Sequence, residues 1–274
     1  MESEMRIVKI TPTSFFCSAA LILAFIAFPG ALQGQPGFSK GEKKMGQARA
    51  DSGENVIRSS GLRPVYPGEA RCPEIASPYA SPTRYDGSFR PTWSFGGLHG
   101  GIDISLAEGT PLVALAAGSV ASKGEGGMLE GIYIWLRHSP DDTGFSYWVY
   151  SKYQHLESPP ELEVGALVKM GQVIGRSGKT GTAGKYYGMS GYPHLHLTTR
   201  KSPEDNAVVG SRETFRGAAL FDPLEIYHEA GARLRGSADS SLPADAIPIP
   251  YVTVDGKIAP PGTRVVWPVA CQPK

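Results

Sequence analysis

Short segments of alternating apolar and polar residues, separated by glycine, proline and serine, make up most of the chain after residue 72. These segments are rich in β-branched and aromatic residues, which favour strands. The predicted strands are 102–105, 112–116, 119–122, 131–137, 147–153, 172–174 and 194–199. Segments 123–127 and 139–144 have the composition of hairpin turns. Apart from the N-terminal apolar run, only 223–230 has a helical pattern. The sequence therefore predicts a mainly β fold, an antiparallel sheet with few helices.

The first 34 residues have the layout of a secretory signal peptide. Arg6 and Lys9 precede an apolar run over 14–28, and small or polar residues follow it. This run is short for a membrane-spanning helix, which needs about 20 residues. We therefore predict that the protein is secreted, or exported to the periplasm or cell envelope. The alternative is an uncleaved N-terminal anchor, which would be the only expected contact with a membrane.

Residues 35–70 are rich in Gly, Ser, Lys, Glu and Arg, and we expect them to form a flexible linker. Residues 71–274 are then one domain of ordinary size. Once a signal peptide containing Cys17 is removed, Cys72 and Cys271 are the remaining cysteines. An oxidising compartment favours pairing, so we predict a disulfide bond between them.

The charge of the chain is nearly balanced, with a formal net charge of +1 and a pI near 7.7. The sequence has no basic stripe, and we expect no nucleic-acid partner. Any affinity for an anionic polymer must come from local contacts.

Three fragments carry candidate metal chemistry: His99 with Asp103, the single His155, and His194 with His196. On a fully extended strand, His99 and Asp103 would lie roughly 13 Å apart, too far to share a metal ion. The two glycines between them allow the chain to bend, because glycine accepts φ values that other residues disfavour. His194 and His196 fall on one face of a predicted strand. Four histidines and a carboxylate are enough for a zinc site with acid–base groups beside it.

Two further features compete with this set or flank it. His138 and Asp142 also have the His-x-x-x-Asp spacing, but Pro140 and Thr143-Gly144 indicate a solvated turn, so we do not expect metal there. His228 lies on the predicted helix, where a surface or packed histidine is expected. The glycine-rich loop over 176–193 leads into His194, and a loop of this length beside a site is typical of a cleft wall.

These fragments and their flanks resemble the lysostaphin/LytM-type zinc peptidases. The similarity covers about 92–200, with a looser match at 221–227. The matching stretches are LHGGIDIS (98–105), GTPLVALAAGSV (109–120), YQHL (153–156), VKMGQVIG (168–175) and GYPHLHL (191–197).

The resemblance implies one Zn²⁺ held by His99, Asp103 and His196, with His155 and His194 as the catalytic pair. It implies a β-sheet groove for the stem or cross-bridge peptides of peptidoglycan, which metal-activated water would hydrolyse. The chain departs from the family at Thr198-Thr199, where an acidic residue is frequent, and in the tail over 231–274. These departures affect the expected substrate more than the metal site.

Three alternatives stay open at this point. A non-catalytic relative would bind the cell wall or activate other wall hydrolases, but it would be expected to lose a ligand or a catalytic histidine. A biotinyl- or lipoyl-type carrier domain shares the glycine-punctuated strands of 109–120 and 168–175 but has no use for His-x-His. A secreted zinc peptidase could also act on proteins instead of peptidoglycan.

Overall fold

The computed structural model describes residues 57–127, 129–182, 191–210, 216–235 and 242–274. The predicted signal peptide over 1–34 and residues 35–56 of the predicted linker lie outside these ranges. Among the residues that are described, none belongs to a helix both long and apolar enough to cross a membrane.

The described chain is mainly β-structure, which confirms the predicted fold class. Its strands are β1 (Arg63–Val65), β2 (Ala70–Arg71), β3 (Ile75–Ser77), β4 (Ile102–Ser105), β5 (Pro111–Val113), β6 (Gly118–Glu125), β7 (Ile132–His138), β8 (Trp148–Gln154), β9 (Leu167–Val168), β10 (Val173–Arg176), β11 (His194–Ser202), β12 (Ala219–Phe221), β13 (Ala246–Pro248), β14 (Tyr251–Val252), β15 (Ile258–Ala259) and β16 (Gln272–Pro273). The helical segments are a 3₁₀ turn at Phe95–Gly97, α1 (Pro140–Thr143) and α2 (Leu224–Arg235).

The central antiparallel sheet has the strand order β3-β4-β11-β8-β7-β6-β9, and β12 also pairs with β11. Alternation of side chains divides this sheet into two faces. One face carries Ile104, Leu195 and Leu197, all fully buried in the core. On the other face, Asp103 of β4 lies directly opposite His196 of β11. The sheet therefore has the hydrophobic core on one face and the candidate metal-binding residues on the other.

The beginning of the domain differs from the prediction. The linker was expected to extend to residue 70, but the described part of that stretch packs on the domain. Strand β1 pairs in parallel with β13, and the backbone N–H and side-chain hydroxyl of Ser60 donate to Asp222 Oδ2. Ile57 and Ala70 are buried. Composition alone missed this because isolated apolar residues are enough to anchor a polar segment when a strand edge accepts its backbone hydrogen bonds.

The two ends of the domain are joined next to each other. Cys72 and Cys271 form the predicted disulfide, with Cα atoms 4.3 Å apart, and the flanking strands β2 and β16 pair antiparallel. The C-terminal extension returns to the core, where Trp267 is fully buried and its Nε1 donates to the carbonyl of Pro73. The tail is therefore a packed part of the domain.

Two predicted turns are placed differently in the structure. Strand β6 continues to Glu125, which includes most of the turn expected over 123–127. The turn expected at 139–144 contains the short helix α1, which begins at a capping box of Ser139 with Asp142 and ends at the left-handed Gly144. Capping by Ser and Asp explains why turn-like composition can form a helical turn instead.

Candidate metal centre

His99 reaches the sheet because the chain between it and β4 passes very close to neighbouring groups. Neither Gly100 nor Gly101 has a positive φ, so the predicted reason for these glycines was wrong. A Cβ atom on Gly100 would collide with the Phe95 ring, and one on Gly101 would collide with the carbonyl oxygen of Leu197. The absence of side chains, and not unusual backbone angles, allows the His99 loop to lie against β11.

Three donor atoms converge where this loop, β4 and β11 meet. Asp103 Oδ1 lies 2.8 Å from His196 Nδ1 and 3.1 Å from His99 Nε2. The two nitrogens are 3.0 Å apart. Tetrahedral zinc with bonds of 2.0–2.1 Å separates its ligands by roughly 3.3 Å, so the cluster fits one such ion after opening by a few tenths of an ångström. Within the described residues, this is the one cluster of three such groups close enough to share a metal ion.

The far side of each imidazole has its own partner. His99 Nδ1 is 2.9 Å from the carbonyl oxygen of Pro78, and His196 Nε2 is 3.0 Å from Thr198 Oγ1. A carbonyl oxygen can only accept a hydrogen bond, so His99 carries its proton on Nδ1 and leaves the Nε2 lone pair facing the cluster. Such outer partners orient metal-binding histidines and set their tautomer.

Arg90 holds the outer oxygen of the carboxylate. Its Nη2 lies 3.4 Å from Asp103 Oδ2 and donates to Ser77 Oγ at 2.8 Å. The guanidinium therefore leaves Oδ1 to the two histidines. Arg90 and Pro78 were not predicted, because nothing in their local sequence indicates a contact with Asp103 or His99.

Protonation states also suit a metal site. Burial lowers the pKa of His196 to about 4, so this imidazole is neutral at pH 7. Burial by itself raises the pKa of Asp103, but the neighbouring His99, His194 and His196 outweigh it and hold the pKa well below its usual value. Neutral imidazole and ionised carboxylate are the forms that bind zinc.

His155 and His194 stand side by side next to the cluster, with ring centroids 4.6 Å apart. His155 Nδ1 bonds to the carbonyl oxygen of Thr180 at 2.8 Å, and His194 Nδ1 to that of Tyr192 at 2.9 Å. Both rings therefore carry a proton on Nδ1 and keep an unprotonated Nε2 when neutral. His194 Nε2 is 3.7 Å from Asp103 Oδ1.

His155 has two further unusual features. Burial, together with the nearby His194 and His196, lowers its pKa well below the usual value. Its backbone has a φ of +64°, which is unfavourable for a residue other than glycine. Strained backbone of this kind costs of order 1–3 kcal/mol and is concentrated at functional sites.

The five predicted residues line one cavity of about 370 Å³. Arg90 and Thr198 line it as well, and so does Tyr192, whose ring stacks on His194 at 4.4 Å between centroids. Burial and then the charge of Asp103 raise the pKa of Tyr192 above its usual range. The cavity is large enough for part of a peptide.

The remaining histidines lie outside this cavity. His138 is fully buried, its Nδ1 bonded to the Ala117 carbonyl at 2.6 Å and its Nε2 to Ser151 Oγ at 2.8 Å. The expectation of a solvated turn was therefore wrong for His138. Asp142 caps α1 and forms no metal site with it. His228 is exposed on α2.

Comparison with known proteins agrees with this site. Residues 97–209 match the profile of peptidase family M23. This part of the chain is thus similar to M23 domains, which confirms the predicted resemblance to the lysostaphin/LytM-type peptidases.

Relatives match this part of the chain. Lysostaphin of Staphylococcus staphylolyticus is 31% identical over 148 residues, which are 54% of this chain and 26% of lysostaphin. Glycyl-glycine endopeptidase ALE-1 of Staphylococcus capitis is 37% identical over 146 residues, 53% of this chain and 33% of that protein. The chain thus spans a third or less of the length of these relatives. The crystallised catalytic domain of lysostaphin from Staphylococcus simulans aligns with a TM-score of 0.38 at 27% identity, over 56% of this chain and 90% of that domain.

Proposed function

We propose that the protein is an exported zinc metalloendopeptidase that hydrolyses amide bonds in the stem or cross-bridge peptides of peptidoglycan. The observation that carries the proposal is the convergence of His99 Nε2, Asp103 Oδ1 and His196 Nδ1, all within 4.8 Å of one another, beside two further histidines that the cluster does not need. Three protein ligands leave one position open, which is typical of a catalytic zinc site.

In this proposal, His99, Asp103 and His196 hold the metal, and His155 and His194 handle protons. Bound zinc would act as a Lewis acid and would lower the pKa of a bound water molecule towards 7. Each of the two histidines bonds to a carbonyl oxygen through Nδ1, so its Nε2 lies on the other side of the ring. One Nε2 accepts a proton from the attacking water, and protonated imidazole can return it to the leaving amine.

The structure of the pair favours His155 as the proton acceptor in the resting state. Burial and its histidine neighbours lower its pKa, so the ring is neutral at pH 7 and the Nε2 lone pair is available. The carbonyl of Thr180 fixes its ring through Nδ1. His194, 3.7 Å from the metal-binding oxygen of Asp103, is better placed to interact with groups at the metal itself.

Peptidoglycan is proposed as the substrate because of the kinship with lysostaphin and with a glycyl-glycine endopeptidase. The N-terminal 34 residues are proposed as a signal peptide or anchor that takes the protein to this substrate.

The full chain, incubated with purified peptidoglycan and zinc, should release soluble fragments with new amino and carboxyl termini, identified by mass spectrometry. A chelator should stop release and added zinc should restore it. His155→Ala should lower the rate by about 10²–10⁴, whereas His228→Ala, a surface control on α2, should have no effect. Binding without any new termini would contradict the enzymatic proposal and favour a non-catalytic wall-binding protein.

A further inference from the structure

The hydroxyl of Tyr192 is buried and has no hydrogen-bond partner. Within the described parts of the chain, it is the one buried side-chain oxygen or nitrogen in this condition. Other buried polar side chains around the site are bonded: His99 to Pro78, His155 to Thr180 and His196 to Thr198. An unpaired hydroxyl in this otherwise bonded neighbourhood indicates that its partner is missing from the free protein.

Leaving a buried donor or acceptor unpaired costs about 1–3 kcal/mol. That cost is tolerated at functional sites, where a ligand completes the hydrogen bond. The phenol group lies in the wall of the cavity that contains the candidate metal cluster and both spare histidines. A phenol ordinarily titrates near pH 10, so it is protonated and able to donate at neutral pH.

The ring of Tyr192 is held in place independently of its hydroxyl. It stacks on His194 with an interplanar angle of 17°, and the carbonyl of Tyr192 accepts from His194 Nδ1 at 2.9 Å. Pro193 follows directly and restricts the backbone before β11 begins. The ring that carries the hydroxyl is thus preorganised, as expected of a group that stabilises charge.

On the basis of the proposed peptidase function, we propose that Tyr192 donates a hydrogen bond to the acyl oxygen of the scissile amide, and that this bond strengthens as negative charge builds up there. Tyr192 lines the same cavity as His155, His194 and the candidate metal cluster. Tyr192 acts only as a hydrogen-bond donor: it forms no covalent bond and transfers no proton.

Tyr192→Phe removes the hydroxyl and keeps the stacked ring. We expect kcat on a cross-linked peptide to fall about 10²–10³-fold, the usual loss for one oxyanion donor, with little change in KM. Zinc content should stay at that of the parent protein. The thermal midpoint should be unchanged or higher, because no internal hydrogen bond is lost and an unpaired buried hydroxyl is removed.

A matched control is Tyr147→Phe, since the Tyr147 hydroxyl donates to Glu229 Oε1 at 2.7 Å, away from the cavity. This variant should lose some stability and keep kcat, the reverse of the pattern for Tyr192→Phe. Full activity of Tyr192→Phe beside an active parent would overturn the role of Tyr192 and leave the peptidase function intact. A thermal midpoint several degrees below the parent would also overturn it, because the hydroxyl would then have a partner within the protein. An inactive parent would instead reject the peptidase function itself.

Discussion

Thr198 offers the sharpest test of how the candidate metal centre is organised. For His196 Nδ1 to bind zinc, the proton of the imidazole must be on Nε2, which lies 3.0 Å from Thr198 Oγ1. Thr198 then accepts that proton in a hydrogen bond and fixes both tautomer and ring orientation. Thr198→Val keeps the shape of the side chain but leaves the Nε2–H without this acceptor.

The expected loss of zinc affinity is 10–100-fold, the usual effect of removing an outer partner of a metal-binding histidine. This corresponds to about 1.4–2.7 kcal/mol in binding free energy. The loss of stability in the metal-free protein should be smaller, about 0.5–1.5 kcal/mol for one hydrogen bond. Zinc affinity would be measured by competition with a chromogenic chelator, and stability by urea unfolding of the metal-free protein.

The neighbouring Thr199 supplies a matched control, because side chains alternate along β11. Its hydroxyl faces the core and donates to the carbonyl of Phe221 at 2.9 Å. Thr199→Val should therefore lose comparable stability without a change in zinc affinity. Equal zinc affinity in the Thr198→Val variant and the parent would refute the assigned tautomer, and a similar loss in both variants would show that the effect is general destabilisation.

Three other predictions follow from the same structure. His196→Ala should lose zinc and activity together, whereas His194→Ala should keep about one zinc per chain and lose activity; elemental analysis decides, and the opposite pattern would reverse the two roles. Burial lowers the pKa of His138 to about 4, so its contribution to stability is present above pH 6.5 and is lost as the pH falls towards 4, up to about 3 kcal/mol. Urea unfolding of His138→Gln should accordingly depend less on pH over that range, and a dependence equal to the parent's would contradict the prediction. Cys72 and Cys271 are 199 residues apart, so replacing both with serine should lower the free energy of unfolding by about 5 kcal/mol through loop entropy. An unchanged midpoint of urea unfolding would contradict this prediction.

Side-chain alternation along a strand explains why part of the site could be predicted from the sequence. His194 and His196 share a face of β11 because alternation is a property of the local chain, and the buried Leu195 and Leu197 between and after them orient that face. The bend between His99 and Asp103 was also predicted from two glycines. Its physical cause was not, since contacts with Phe95 and Leu197, and not φ values, require those glycines.

Contacts between residues that are far apart in the sequence could not be predicted from the sequence. Arg90 meets Asp103 and Ser77, and Thr180 meets His155, only after the loops have packed around the sheet. Thr198 was noticed only as a departure from the family pattern, and its bond to His196 depends on the rotamer that the ring adopts next to Asp103. The same limit applies to His138, whose ring bonds to Ala117, just before β6, and to Ser151 of β8, although the sequence that follows it has the composition of a turn.

Side-chain chemistry and short-range periodicity are enough to predict the strand-rich character of the domain, the residues able to bind a metal and the cysteines able to pair. The tertiary structure decided which donor atoms face one another, which protons the histidines carry and where the domain begins. Those properties depend on hydrogen bonds and burial contributed by residues up to 206 positions apart, and no local pattern encodes such contacts.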